Sequence, residues 1–132
     1  MVILDTRALI FDALAPERLS RKARQAIERA HTDAALACAD ISLWEIAMLI
    51  AKQRLHPGTD TLSFLRLLLA ARNLQVLPVV PEIAVLSVSP EDDVNADPAD
   101  RIIVATAVYH QAALVTRDKD LRNARLPISV VW

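Results

Sequence analysis

The chain has 132 residues, enough for one domain over 1–132 with little room for a second. Hydrophobic residues make up 54% and the mean hydropathy is +0.30, yet no apolar run reaches the roughly 18 residues of a membrane helix, and Asp5 and Arg7 interrupt any signal peptide. A net charge of −1 excludes a global basic field, and a single cysteine, Cys38, excludes an internal disulfide framework and favours a reducing, cytoplasmic compartment.

Short apolar runs alternate with longer segments of helical periodicity. The short runs predict strands and the longer segments predict helices. In chain order we predict strand 2–4, helix 6–14, a helix capped by Ser20 that ends near residue 30, strand 34–39, helix 42–54, helix 60–72, strand 75–80, a short helix at 81–88, helix 97–111, strand 113–116, a helical stretch after Asp118 and strand 128–131. Pro57 and Gly58 mark a turn, and the lack of any second glycine excludes Gly-rich phosphate loops.

This alternation predicts an α/β fold. Strands that alternate with helices form a central parallel sheet, here of about four to five strands, with helices on both faces. Ligands of such folds bind beyond the carboxyl ends of the strands. We therefore look for functional residues at those strand ends.

Four acidic residues fall at this edge of the predicted sheet. Asp5 closes the first strand and Asp118 follows the strand at 113–116, while Glu45 and Asp100 lie in the first turns of helices that start at the same edge. Carboxylates that converge repel one another unless cations neutralise them. Oxygen ligands favour Mg²⁺ or Mn²⁺, and the three histidines lack the spacing of zinc ligands.

Three of these acids also fit a purely structural role. Ser42 and Glu45 match a capping box, with Glu45 at the third helical position. Asp97 fits an N-cap with Asp100 at the third position, and Asp118 could cap the helical stretch after it. Structural and functional roles can coexist, because a carboxylate in a first helical turn can also face a cleft.

Asp5 and Glu45 are harder to explain by capping or solvation. An acid at the end of an apolar strand has no standard capping role, so we expect none for Asp5. Glu45 is the only charged residue in the segment 41–51, which is apolar on nearly every face. A buried, unpaired carboxylate costs several kcal/mol, and a helix N-terminus offsets only about 0.3–1 kcal/mol. A metal ion would offset more.

The segments that carry the four acids resemble the four acidic motifs of PIN domains. The second and third are especially similar to those of VapC-type toxins of bacterial toxin–antitoxin pairs. The resemblance covers essentially the whole chain, in the family's order. The segments are VILDT at 2–6, ISLWEIA at 41–47, DPADRIIVATA at 97–107 and LVTRD at 114–118.

The resemblance implies a PIN-like domain that acts as a metal-dependent endoribonuclease. It implies four catalytic and metal-binding acids, which are Asp5, Glu45, Asp100 and Asp118. Thr6 and Thr116 match polar positions that border the site, where their hydroxyls would orient the carboxylates. Asp97 and Asp120 could assist, but Asp97 is better explained as an N-cap and Asp120 as a solvated helix acid. The implied partners are RNA, a second copy of the chain in a homodimer, and a VapB-type antitoxin whose tail occupies the active-site groove.

Basic residues lie close to these acids in sequence. Arg7, Arg101 and Arg117 could contact RNA phosphates, or could simply balance the charge of an acidic cleft. Arg7 departs from the small or polar residue expected after Asp-Thr in the family. The apolar stretches 42–54 and 62–71 mainly predict core, and their remainder predicts a dimer interface and an antitoxin groove.

Other functions remain open to different degrees. A phosphotransfer receiver or haloacid-type phosphatase does not fit, because each needs a second acid beside Asp5, where this chain has Thr6 and Arg7. A catalytically inactive PIN-like binding module is disfavoured by the presence of all four motif acids. The sequence does not distinguish RNA from another nucleic acid as the substrate.

Overall fold

Five short strands lie side by side in one parallel sheet in a computed structural model of the protein, which describes residues 1–88 and 97–132. The strands are β1 (Val2–Leu4), β2 (Leu36–Ala39), β3 (Gln75–Leu77), β4 (Ala113–Val115) and β5 (Val130–Val131). Their order in the sheet is β3-β2-β1-β4-β5, and every neighbouring pair is parallel. The predicted α/β class with a parallel sheet of four to five strands is confirmed.

Seven α-helices in the described residues flank this sheet. They are α1 (Thr6–Leu14), α2 (Arg21–Thr32), α3 (Asp40–Ala51), α4 (Thr61–Ala71), α5 (Pro81–Ser87), α6 (Pro98–Tyr109) and α7 (Lys119–Asn123), with one 3-10 turn, Pro16–Arg18, after α1. In the described ranges, none of them has the length and apolar character needed to cross a lipid bilayer.

Several helices begin at a capping side chain, and the bounds of α3 differ from the prediction at both ends. Strands β3 and β5 are also shorter than the predicted 75–80 and 128–131, and α6 ends at Tyr109 rather than 111. Ser20 caps α2 by accepting a hydrogen bond from the Ala23 amide at 3.1 Å. Helix α3 begins two residues before the predicted start at 42, since Ala39 already holds the extended N-cap conformation. The helix ends at Ala51 rather than 54, because Gln53 adopts a left-handed φ of 57° that stops it.

The three central strands, β1, β2 and β4, are largely buried on both faces. Leu4 and Val115 belong to a core shared with α1, α2 and α4, while Ile3 and Leu114 belong to a second core shared with α6. Successive side chains of a strand point to opposite faces, so these two sets separate cleanly. Helices therefore cover both sides of the sheet, and its carboxyl edge is left for a ligand site.

The earlier and later parts of the chain add their strands on opposite sides of β1. Strands β2 and β3 lie on one side of β1, and β4 and β5 on the other. Such a switch point leaves a crevice beyond the carboxyl ends of the two strands that flank it. The residues that follow β1 and β4, Asp5 and Thr116, therefore stand next to each other at this crevice.

Candidate active site

A pocket of about 270 Å³ opens at this crevice, and carboxylates dominate its polar lining. Among the described residues it is lined by Asp5, Thr6, Arg7, Ile10, Glu45, Leu49, Asp97, Asp100, Arg117 and Asp118. The structure thus brings together the four acids singled out in the sequence, from the ends of β1 and β4 and from α3 and α6. A fifth carboxylate, that of Asp97, lines the same pocket.

Asp5 is held by a hydrogen bond on each carboxylate oxygen. Its Oδ1 accepts from the Ala8 amide at 2.8 Å, and its Oδ2 accepts from the Thr116 hydroxyl at 2.5 Å. The expectation that Asp5 has no capping role was wrong, because α1 starts directly after β1 and Asp5 is its N-cap. This double anchorage ties the carboxylate to the first turn of α1 and to the residue that follows β4, and gives it one orientation.

Glu45 is not part of a capping box. Helix α3 starts at Asp40, so Glu45 lies in the second turn and Ser42 in the first. The Oε1 atom of Glu45 instead accepts a hydrogen bond from the hydroxyl of Thr6, the first residue of α1. The structural alternative for Glu45 was therefore wrong, and its carboxylate is held at the pocket by a residue from another helix.

Asp97 and Asp118 cap helices as the sequence indicated. Asp97 Oδ1 accepts from the Asp100 amide at 2.9 Å, which starts α6. Asp118 Oδ1 accepts from the amides of Asp120 and Leu121, at 2.8 and 3.2 Å, and so starts α7. Both acids also line the pocket, so capping and pocket lining coincide in the same side chains.

Burial and mutual repulsion raise the pKa values of three pocket acids. Burial, followed by the charges of Asp97 and Glu45, raises the pKa of Asp100 to about 7. Burial raises the pKa of Glu45 against the opposing hydrogen bond from Thr6. Burial also raises the pKa of Asp5, although the Thr116 hydroxyl and the Ala8 amide favour its ionised form. A pocket of this kind favours protons or cations at neutral pH.

Comparison with known proteins decides the family. Residues 2–126 match the PIN domain family, which is almost the entire chain. The chain belongs to the PIN domain family. It is also 39% identical over 132 residues to Ribonuclease VapC22 of Mycobacterium tuberculosis (strain ATCC 25618 / H37Rv), which covers 99% of this chain and 98% of that relative. The resemblance drawn from the four acidic segments is confirmed.

Solved structures share this PIN fold at low sequence identity. A chain of the crystal structure of VapBC2 from Rickettsia felis bound to a DNA fragment from their promoter superposes with a TM-score of 0.74 at 15% identity, covering 98% of this chain and 97% of that one. A chain of DNA-bound VapBC from Salmonella typhimurium gives a TM-score of 0.70 at 16% identity, covering 98% and 95%. At these identities the two structures support the fold.

The chemistry of this PIN pocket fits a hard divalent cation, although its side chains are not arranged around one. Its ligand atoms are carboxylate and hydroxyl oxygens, with neither histidine nor cysteine among the described lining residues. Over residues 1–88 and 97–132, no group of three or more Asp, Glu, His or Cys side chains stands in positions that could hold a metal ion.

The other residues singled out in the sequence divide into two groups. Thr6 and Thr116 contact Glu45 and Asp5, and Arg7 and Arg117 line the pocket. Arg101 and Asp120 are exposed and are not among the described lining residues.

Sequence reasoning gave Ser42 the wrong role. Ser42 is fully buried, and its hydroxyl lies 3.0 Å from the hydroxyl of Thr6, which in turn contacts Glu45. Its spacing of one helical turn from Glu45 fits this position in the helix as well as it fits a cap.

Proposed function

We propose that the chain is an Mg²⁺- or Mn²⁺-dependent endoribonuclease that hydrolyses RNA phosphodiester bonds. The observation that carries the proposal is the convergence of Asp5, Glu45, Asp100 and Asp118 on one pocket at the carboxyl edge of a PIN sheet. The relative that is 39% identical over 98% of its length is a ribonuclease by name, which supports the same reaction.

In this proposal the four acids bind the cation in two different ways. Asp5 and Asp100 are its primary ligands, and Glu45 and Asp118 complete the set directly or through water. When bound, such an ion supplies a water of lowered pKa and stabilises charge on the non-bridging phosphate oxygens. Glu45 and Asp118 then orient the attacking water by accepting its hydrogen bonds.

The hydroxyls of Thr6 and Thr116 hold two of these carboxylates in place. Each donates to a carboxylate oxygen, Thr6 to Glu45 and Thr116 to Asp5. Such donors favour the ionised form that a cation needs, against the burial that raises both pKa values. Thr116 also accepts from the Asp118 amide at 3.1 Å, so one hydroxyl connects two of the proposed ligands.

Arg7 and Arg117 supply the positive charge that an RNA backbone requires. Both line the acidic pocket and both are exposed, so a phosphate can reach them from solvent. Arg101 is exposed at the start of α6, where it would contact a more distant phosphate. Positive side chains at the rim let an RNA strand approach carboxylates that would otherwise repel it.

We also propose that the protein is a cytoplasmic toxin, a homodimer neutralised by a VapB-type antitoxin whose tail occupies the active-site groove. The two solved structures that share its fold contain VapBC, from Rickettsia felis and Salmonella typhimurium. Exposed apolar side chains offer surface for such partners. They include Trp44 on α3, Leu62 and Leu67 on α4, and Val85 on α5.

The proposal is tested with purified protein and total RNA in Mg²⁺, in Mn²⁺ and in chelator, followed by mapping of the new RNA ends. We expect cleavage with either metal and none in chelator. Asp5→Asn and Asp100→Asn should abolish cleavage while the fold persists, because each removes a charge without changing the shape. Asp33→Asn is the matched control, since Asp33 is exposed at the end of α2. Metal-dependent cleavage that survives in either pocket variant would contradict the assigned roles.

Two alternative functions have their own readouts. A nuclease for another nucleic acid would cleave single- or double-stranded DNA under the conditions in which RNA stays intact. An inactive binding module would leave both substrates intact, and Mn²⁺ titration would then show no binding that depends on Asp5.

A further inference from the structure

A buried pair of hydroxyls lies behind Glu45. Ser42 is 0% exposed and Thr6 is 8% exposed, and their oxygens are 3.0 Å apart. The hydroxyl of Thr6 also reaches Glu45 Oε1, so a chain of hydrogen bonds runs from Ser42 through Thr6 to the pocket carboxylate. These hydrogen bonds join the first turn of α3 to the first turn of α1.

Because each hydroxyl carries a single proton, the charge state of Glu45 decides which hydroxyl donates in these hydrogen bonds. A hydroxyl carries one proton, and an ionised carboxylate only accepts hydrogen bonds. When Glu45 is ionised, the proton of Thr6 therefore points to Glu45, and Ser42 must donate to Thr6. Successive hydrogen bonds of this kind polarise and strengthen one another in a dry environment.

We propose that Ser42 is a positioning residue that holds Glu45 ready for a divalent cation through Thr6. By donating to Thr6, Ser42 keeps the Thr6 proton aimed at Glu45 and so restricts the orientation of the carboxylate. This inference rests on the proposed metal-dependent reaction and assigns that reaction a residue that does not itself line the pocket.

The experiment compares Ser42→Ala, Thr6→Val and the double variant by calorimetric Mn²⁺ titration without RNA. We expect Ser42→Ala to raise the Kd for Mn²⁺ about 3- to 10-fold at unchanged stoichiometry, toward the lower end of the effects seen for groups that orient metal ligands. Because Ser42 acts through Thr6, the double variant should bind Mn²⁺ no more weakly than Thr6→Val alone. Ser42→Thr keeps the hydroxyl and should restore the affinity.

A matched control separates positioning from loss of a buried hydrogen bond. Thr106 is also 0% exposed, and its hydroxyl bonds to the Ile102 carbonyl at 2.7 Å within α6. Thr106→Val should lower the melting temperature about as much as Ser42→Ala but leave Mn²⁺ affinity unchanged. RNA cleavage by Ser42→Ala should recover at saturating metal with an unchanged KM for RNA.

Three results would overturn this role for Ser42. They are an unchanged Mn²⁺ affinity in Ser42→Ala, additive effects in the double variant, or an equal loss of affinity in Thr106→Val. If the wild-type protein itself neither binds Mn²⁺ nor cleaves RNA, the proposed function fails. If it does both and Ser42→Ala does so equally well, only the inference about Ser42 fails.

Discussion

Replacing Asp100 by Asn should stabilise the metal-free protein while it abolishes RNA cleavage. In the folded chain the pKa of Asp100 is raised to about 7 from its ordinary value of 3.8, by burial and then by the neighbouring charges of Asp97 and Glu45. The unfolded chain ionises this carboxyl more readily than the folded chain does. The native state therefore has to hold a charge that it disfavours at neutral pH.

The size of the effect follows from the pKa difference. A difference of about 3 pKa units corresponds to at most about 4 kcal/mol at 1.36 kcal/mol per unit. Asp100 keeps some contact with water, and solvent screening reduces the effect to about 2 kcal/mol. With an unfolding entropy of about 2.1 cal/mol/K per residue over 132 residues, this corresponds to a gain of about 7 °C in melting temperature.

The difference in stability between the wild-type protein and Asp100→Asn should depend on pH. Below about pH 4 the carboxyl is protonated in both states, so the wild-type protein and Asp100→Asn should unfold at nearly the same temperature. Between about pH 4 and pH 7 the unfolded chain releases the proton first, and the wild-type protein loses stability as the pH rises. Above pH 7 the full difference is present. Asp100→Asn should show a shallower slope over this window, with Asp5 and Glu45 supplying what remains.

Thermal unfolding followed by circular dichroism in chelator, from pH 4 to pH 8, measures this difference. Asp33→Asn, at an exposed carboxylate, should stay within about 2 °C of the wild-type protein at every pH, as surface substitutions usually do. An Asp100→Asn protein that melts below the wild type at pH 8, or that keeps its pH slope, would refute the idea that the pocket strains the metal-free fold.

Three other predictions concern separate parts of the molecule. Arg117→Gln, made in the cleavage-deficient Asp5→Asn protein, should weaken RNA binding. It should also reduce by about 0.7 the slope of log binding constant against log salt concentration, as expected for one lost phosphate contact with a single strand; an unchanged slope would leave Arg117 a charge-balancing role. Asp97→Asn should keep the α6 cap, whereas Asp97→Ala should cost about 1 kcal/mol of unfolding free energy; cleavage lost in Asp97→Asn would make Asp97 a ligand. Arg72→Met should cost about 1–3 kcal/mol in urea denaturation, because Arg72 makes two hydrogen bonds to the mostly buried Asp12, at 2.9 and 3.0 Å.

The sheet and the acidic edge were predictable because they depend on local patterns. The run Val2–Leu4 is short and apolar, and helix 6–14 was predicted with the bounds that α1 has in the structure. The start of α3 was misplaced because the Ser-x-x-Glu pattern at Ser42 and Glu45 fits a cap just as well as it fits one helical turn. A residue three positions away is a neighbour in both cases, so sequence alone does not separate them.

The hydrogen bonds of the site were beyond the sequence because they join distant segments. Thr116 and Asp5 are 111 positions apart, and Thr6 and Glu45 are 39 apart. Their contacts depend on the register of β1 against β4 and on the packing of α1 against α3, which are tertiary facts. The second role of Asp5 was missed for a related reason, since one residue both ends a strand and starts a helix.

Helix caps explain how the folded chain tolerates so many carboxylates in one pocket. Asp5, Asp97 and Asp118 are each the N-cap of a helix, where backbone amides and the helix dipole stabilise negative charge by about 0.3–1 kcal/mol. Glu45 and Asp100 are not N-caps, and burial raises the pKa of each. Burial raises the pKa of Asp5 as well, so its helix N-terminus only partly offsets the cost of burying that carboxylate. A cation that enters the pocket therefore gains most from Asp5, Glu45 and Asp100, because burial disfavours the ionised form of all three.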